Sequence, residues 1–255
     1  MAVELHLFVC LRDNYGVLLH DHASGATAAI DAPDAAPIER ALAETGWRLN
    51  DILVTHHHGD HTAGIPALKQ RYGCRVVAPA AEVSRIPDVD IPVREGDTVR
   101  VGSLAADVLE TPGHTNGHIA YWFKSDGLAF VGDTLFSVGC GRVIEGTPEM
   151  MWRSLSKLRD LPNETKIYCG HEYTAANVRF ALSVDPDNAA LRARAEEVSR
   201  LSAANEPTIP TTIGQEKAVN PFLRADVPEL AARVGMPNAA PAAVFAEIRG
   251  RKDRF

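Results

Sequence analysis

Thr55-His56-His57-His58-Gly59-Asp60-His61 puts three imidazoles and a carboxylate, at His56, His58, Asp60 and His61, straight after the apolar run Ile52-Leu53-Val54. A strand that ends in a turning loop can aim such side chains at a common point. Imidazole combined with carboxylate suits a divalent metal such as zinc, iron or manganese better than calcium or copper(I). His57 has the opposite parity and reads as a structural residue. Single ligand-type residues follow at the ends of other expected strands: His114 after residues 105–109, Asp133 after 128–131 and His171 after 166–169. Each lies beside a glycine (Gly113, Gly132, Gly170) that permits a bend or a close backbone approach.

Seven donors exceed one tetrahedral ion and suit two. Asp133 is the natural bridge, with His56, His58 and His114 on one ion and Asp60, His61 and His171 on the other. A water between the ions is acidified by both, since a single zinc already lowers bound water to a pKa of about 7. The chemistry this implies is metal-assisted hydrolysis, with Asp133, His56, His58 and Asp60 holding the bridging hydroxide. Asp31 ends its own strand and either orients a metal ligand or makes a structural turn.

The elements that must carry these residues follow from periodicity. Residues 3–9, 15–20, 26–31, 51–55 and 75–78 read as strands, with a helix at 34–45 closed by Gly46 and another at 63–72 closed by Gly73. Residues 99–101 and 105–109 form one hairpin, 119–123 and 128–131 a second. Thr147-Pro148 starts a helix, and 166–169 reads as the last strand. After Tyr173 the chain turns Ala/Arg/Glu-rich and helical, and seven of its 16 prolines fall in this final third. A boundary near residue 173 therefore separates a mixed β/α body, 1–173, from a helical region, 174–255.

The net charge of −7 argues against a nucleic-acid binder, which would carry a basic face. Residues 174–255 hold 11 Lys+Arg against 10 Asp+Glu, with Arg249, Arg251, Lys252 and Arg254 at the end. Cys10, Cys74, Cys140 and Cys169 are scattered, with no C-x-x-C pair, which points to a reducing compartment. There is no signal-peptide pattern and no run of 18 apolar residues, so a soluble cytoplasmic protein with no membrane partner is expected.

The pattern His-x-His-x-Asp-His, followed by His114, Asp133 and His171, resembles the metallo-β-lactamase superfamily. That resemblance implies an α+β fold, the αββα sandwich of two mixed sheets, with two metal sites that agree with the pairing above. Further stretches are similar to glyoxalase II, the hydroxyacylglutathione hydrolase family: Asp13-Asn14-Tyr15, Gly132-Asp133-Thr134-Leu135-Phe136, Gly139-Cys140-Gly141-Arg142 and Cys169-Gly170-His171-Glu172-Tyr173-Thr174. So are Glu206-Pro207-Thr208, Asn220-Pro221-Phe222 and Arg249-Gly250-Arg251-Lys252-Asp253. The resemblance runs nearly end to end and includes a C-terminal α-helical, glutathione-binding domain.

It implies that Arg249 and Lys252 meet the glycine carboxylate of glutathione, that Tyr173 contacts the tripeptide backbone, and that Arg142 stands where many members carry lysine or arginine. Ile144 departs from members with a glutathione-binding tyrosine at that place. The physics of the pair fits, because cations three apart at a helix end reach one side. The implied reaction is hydrolysis of S-D-lactoylglutathione to D-lactate and glutathione, the second step of methylglyoxal detoxification. It would use two divalent ions per chain, zinc first and iron or manganese as alternatives, in a monomer. Hydroxide attacks the thioester carbonyl, and a thiolate of pKa near about 8.5 leaves without a dedicated proton donor. The rival from the same superfamily is a single-iron persulfide dioxygenase, which oxygen uptake would reveal. A nuclease lacks its basic channel here, a lactonase is a side activity, and a metal-stabilised binding module leaves the acidified water without a use.

Overall fold

Two units share the chain in the structure, a computed structural model that describes residues 3–255. The first takes the chain to Glu110 and again over Gly117–Gly132; the second takes Thr111–Asn116 and Asp133–Phe255. The expected first domain begins at Met1, and its first two residues lie outside the described ones.

In the first unit, alternating residues form β1 (Val3–Val9), β2 (Tyr15–Asp21) and β3 (Thr27–Ile30), paired antiparallel. Helix α1 (Ala35–Thr45) starts on Asp34, whose side chain accepts from the Ala36 amide, and ends at Gly46 in the left-handed region. β4 (Leu49–Leu53), the short turn α2 (Gly59–Thr62), α3 (Ile65–Tyr72), β5 (Arg75–Pro79) and β6 (Ile91–Val93) follow. β3, β4, β5 and β6 are parallel neighbours, completing a mixed six-stranded sheet in sequence order. Ile52 and Val54 pack with Leu18, Ile38, Leu42 and Leu68 in one buried cluster. This explains why the run before the histidines is continuously apolar.

β7 (Thr98–Val101), β8 (Leu104–Glu110), β9 (Ile119–Phe123) and β10 (Leu128–Gly132) form antiparallel pairs in the order β10-β9-β8-β7. β9 braces the end of β4: Tyr121 Oη donates to Val54 O at 2.8 Å, and the Ile119 amide to Thr55 O at 3.0 Å. Burial, and then the Asp31 charge, push the Tyr121 phenol well above its ordinary value, so it stays a donor.

Asp21 ties two turns of this unit together. Its carboxylate accepts from Ser24 Oγ (2.5 Å), the Ser103 amide (2.7 Å), Ser103 Oγ (2.8 Å) and the Ala23 amide (3.1 Å). Burial raises the acid's pKa, but these four donors outweigh it and hold Asp21 well below the usual carboxylate range. A depressed folded pKa means the stabilisation is complete above the unfolded value of about 3.9 and is lost as pH falls toward the folded one. Urea unfolding of the wild type should therefore weaken from pH 5 to pH 3 more steeply than that of Asp21→Asn; parallel curves would contradict this.

The second unit begins, after its short Thr111–Asn116 piece, with the hairpin β11 (Leu135–Phe136) and β12 (Gly139–Cys140). α4 (Pro148–Arg159), capped by Thr147, precedes β13 (Lys166–Cys169). α5 (Thr174–Val184), α6 (Ala189–Ala203), β14 (Thr211–Thr212), α7 (Ile213–Val219), α8 (Pro228–Arg233) and α9 (Pro241–Asp253) complete it. Val138, Val178, Ala181, Leu191, Val198 and Val219 form a buried cluster here.

Besides the short strands β6, β11 and β12, which periodicity does not predict, the structure departs from the expected elements in three places. The helix expected over 63–72 begins two residues later, at Ile65, preceded by Gly64, where a side chain would meet the Ala35 amide and Ala32 carbonyl. β4 starts at Leu49, two residues before the expected strand. β13 is not the last strand, because β14 pairs with it through Lys166↔Thr212 and Ile167↔Thr211. Among the described residues, no helix is long and apolar enough to cross a membrane.

Candidate functional site

Asp31 organises the histidine loop in the first unit. Its Oδ1 accepts from the Thr55 amide at 2.7 Å; its Oδ2 accepts from Thr55 Oγ1 at 2.9 Å and from His61 Nδ1 at 2.8 Å. With its hydroxyl proton given to Asp31, Thr55 Oγ1 accepts from His56 Nδ1 at 3.0 Å. His56 and His61 are thereby both fixed as Nδ1–H tautomers that present Nε2 as the lone-pair nitrogen. Asp31 is held at φ 56°, a left-handed backbone that is uncommon for a non-glycine residue and is stabilised by these three bonds.

His56 Nε2 lies 3.1 Å from His58 Nδ1, and the His56 and His61 ring centroids are 4.1 Å apart. Two nitrogens on one tetrahedral zinc, each at about 2.0–2.1 Å, stand roughly 3.3 Å apart. The His56–His58 separation fits that spacing. Asp60 Oδ2 is 3.8 Å from His61 Nε2, and Asn14 Nδ2 steadies Asp60 through its carbonyl (3.0 Å) and Oδ2 (3.3 Å). His57 turns the other way: its amide donates to Glu82 Oε2 at 2.7 Å, and its Nδ1 is 2.9 Å from the same oxygen. Glu82 Oε1 accepts from the Gly117 amide, so one buried carboxylate anchors both the loop and the entry to β9. Gly132 lies against this loop at φ 47°; a Cβ there would meet Thr55 and His118.

In the second unit His114, Asp133 and His171 are buried together. Asp133 Oδ2 is 3.5 Å from His114 Nε2 and 3.4 Å from His171 Nε2. His114 Nδ1 lies 2.9 Å from the Arg142 carbonyl, which can only accept, so Nδ1 carries the hydrogen. Its Nε2 lone pair therefore faces a carboxylate, an arrangement that needs positive charge between them, from a proton or a metal ion. The donors are nitrogen and oxygen only. Burial pushes the thiols of Cys140 up to about 11 and Cys169 up to about 12, so neither offers a thiolate.

His171 stacks on Tyr173 (4.8 Å between centroids, 4° between planes), and Phe136 meets both rings edge-on. A cavity of about 590 Å³ is lined by His114, Asp133, Tyr173, Arg142, Arg249 and Lys252, with Phe136 and Phe255 on its wall. Lys252 Nζ donates to Ala176 O at 3.1 Å and lies 5.3 and 5.4 Å from the Phe180 and Phe255 ring centroids. Burial, then the charges of Arg249 and Arg179, lower its pKa from the ordinary lysine value. Ile144 is exposed.

The hairpin that carries Arg142 toward this cavity is strained and heavily tethered. Val138 sits at φ 57°, and its amide donates to Glu216 Oε2 at 2.8 Å. Asn220 Nδ2 donates to Gly139 O (2.9 Å) and Glu216 Oε2 (2.8 Å), while Asn177 Nδ2 donates to Ser137 O (3.2 Å). Glu172 accepts from the Thr208 amide and hydroxyl. Asn220 and Thr208, of the stretches Asn220-Pro221-Phe222 and Glu206-Pro207-Thr208, thus fasten the hairpin and the start of α5. His118, stacked on His56 at 4.8 Å, and Glu82 carry no sequence signal of their own.

Comparison with known proteins adds to this geometry. The family model described as hydroxyacylglutathione hydrolase C-terminus matches residues 172–255, and that of the metallo-beta-lactamase superfamily matches residues 16–171. The chain is 63% identical over 254 residues to a hydroxyacylglutathione hydrolase of Rhodopseudomonas palustris (strain BisA53), covering 100% of each. It is 59% identical to one of Bradyrhizobium sp. (strain ORS 278), again over 100% of each. Among solved structures it is similar to ETHE1 from Myxococcus xanthus, at 27% identity and a TM-score of 0.67, covering 99% of this chain and 98% of that one.

Proposed function

The chain belongs to the hydroxyacylglutathione hydrolase family of the metallo-β-lactamase superfamily, and we propose that it is a two-metal thioester hydrolase converting S-D-lactoylglutathione and water to D-lactate and glutathione. The observation that carries this reading is a single cavity lined both by metal-type donors, His114 and Asp133, and by the cations Arg142, Arg249 and Lys252. Its volume of about 590 Å³ suits a tripeptide-sized ligand, and its cations suit an anionic one.

When bound, two divalent ions, zinc first and iron or manganese as alternatives, supply an acidified water and a Lewis acid for the thioester carbonyl. His56, His58 and His114 would hold one ion, Asp60, His61 and His171 the other, with Asp133 serving both. The protein's own contribution is orientation. Asp31 and Thr55 fix His56 and His61; the Arg142 carbonyl fixes His114; Tyr173 stacks against His171. Lys252 and Arg249 hold the glycine carboxylate, Arg142 adds charge at the cavity wall, and Tyr173 contacts the tripeptide. The departing thiolate needs no proton donor, because a thiol of pKa about 8.5 is a fair leaving group near neutrality. The boundary at residue 173, a monomeric state and a cytoplasmic setting complete the reading; the scattered spacing of the four cysteines suits a reducing compartment.

Thiol release from S-D-lactoylglutathione, measured with and without a chelator beside an oxygen electrode, tests the reaction. Chelator-sensitive release without oxygen uptake is expected; oxygen consumption with glutathione persulfide and no thioester cleavage would overturn it. Lys252→Met should raise KM about tenfold, the scale of one charged hydrogen bond, and leave kcat nearly unchanged. A fall in kcat with unchanged KM would remove Lys252 from substrate binding.

A further inference from the structure

We infer that Arg249 is a positioning residue for His114, in addition to the anion-binding role that the reading above gives it. The inference rests on that reading only for the identity of His114 as a ligand. Arg249 is buried, and three nitrogens of its guanidinium group are engaged by the protein itself. Nη1 donates to Cys140 O at 3.0 Å; Nε and Nη2 meet Asp253 Oδ1 at 3.1 and 3.0 Å; the group lies 5.0 Å from the Phe222 ring centroid. Three of its five N–H groups are used in this way, and the other two remain for an anion in the cavity that Arg249 lines. The guanidinium is a brace as well as a cation.

What it braces leads directly to the ligand. Cys140 is two residues before Arg142, whose carbonyl accepts from His114 Nδ1. Between them the Gly141 amide donates to Thr134 O at 3.2 Å, and Asp133 O lies where a Gly141 side chain would be. Three successive residues are therefore fixed at three points: Arg249 at 140, Thr134 at 141 and His114 at 142. Adjacent Cα atoms are about 3.8 Å apart with rigid peptides between them, so little slack separates the Cys140 and Arg142 carbonyls. Loss of the Arg249 brace lets the Arg142 carbonyl drift. His114 then loses the acceptor that keeps its hydrogen on Nδ1 and its lone pair on Nε2. Loss of such a partner to a ligating histidine typically weakens metal affinity by about 10–100-fold.

The test uses full-length Arg249→Met and Arg249→Lys, with Arg251→Met as control. Arg251 lies on the same helix, bonds Glu247 and the Val234 carbonyl, and has no part in the site. Zinc affinity of each metal-stripped protein is read by competition with a chromophoric chelator, after circular dichroism establishes folding. Both Arg249 variants should bind zinc about tenfold or more weakly, and Arg251→Met like the wild type. The lysine variant keeps the charge but not the fork, so it should fail to rescue, and it carries the test if the methionine variant does not fold. In the metal-free protein, imidazole ¹⁵N spectra should show a hydrogen on His114 Nδ1 in the wild type, whatever the state of Nε2, and a partly unprotonated Nδ1 in the variants. Wild-type zinc affinity and tautomer in both variants, with only KM raised, would overturn the inference. Absence of thioester turnover in the wild type would instead overturn the proposed function, and the zinc and tautomer measurements would still decide this one.

Discussion

Asp133→Ala should abolish thioester hydrolysis, with kcat falling on the order of 10³-fold or more, the scale of losing a central electrostatic element of a site. The same variant should lose bound metal. One oxygen of this carboxylate lies 3.5 Å from His114 Nε2 and 3.4 Å from His171 Nε2, and removing it leaves two buried imidazoles with no anion between them. Two cations brought together there would then repel with no intervening charge. Metal analysis of the purified variant separates this outcome from a simple loss of substrate binding. Full activity with two ions per chain in Asp133→Ala would exclude Asp133 as the bridge.

Asp31→Ala carries the second large effect, and it should act on stability and metal together. The alanine leaves the Thr55 amide, the Thr55 hydroxyl and His61 Nδ1 without their common acceptor, in a buried loop. Breaking such a buried cluster from one side costs about 3–5 kcal/mol, read by urea unfolding. Asp31→Asn separates the two consequences. Its amide keeps the shape and one acceptor but cannot accept at both oxygens, so His61 or Thr55 loses its partner. Zinc affinity should fall about 10–100-fold in Asp31→Asn, with a smaller loss of stability than in the alanine variant. Unchanged zinc affinity in Asp31→Asn would reduce Asp31 to a turn residue.

The sequence announced its chemistry through residue types that have few other uses at that density. Three histidines and an aspartate within six residues can be read at once, and parity sets His57 apart from its neighbours His56 and His58. The orientation of those donors was not legible. Asp31 stood open between two roles because a strand end shows an aspartate but not the three donors that converge on it. Glu82 and His118 gave no signal, since their partners lie 25 and more residues away along the chain. β6, β11, β12 and β14 are two or three residues long, too short for alternation to register. Arg249 was legible as a cation on a helix end but not as a brace, because type and spacing say nothing of which carbonyl a guanidinium reaches. Asn220 stands in a family-like stretch that shows no task for it; in the structure it fastens, with Glu216, the strained turn at Val138 beside the cavity.

The two-ion thioester hydrolase is tested most directly by adding zinc back to the metal-stripped enzyme while following thiol release from S-D-lactoylglutathione. Activity should be absent in the stripped protein and should rise until about two equivalents are bound per chain, the number that seven donors with one bridge accommodate. Full activity in the stripped protein, or a maximum reached at one equivalent with no further gain, would contradict it.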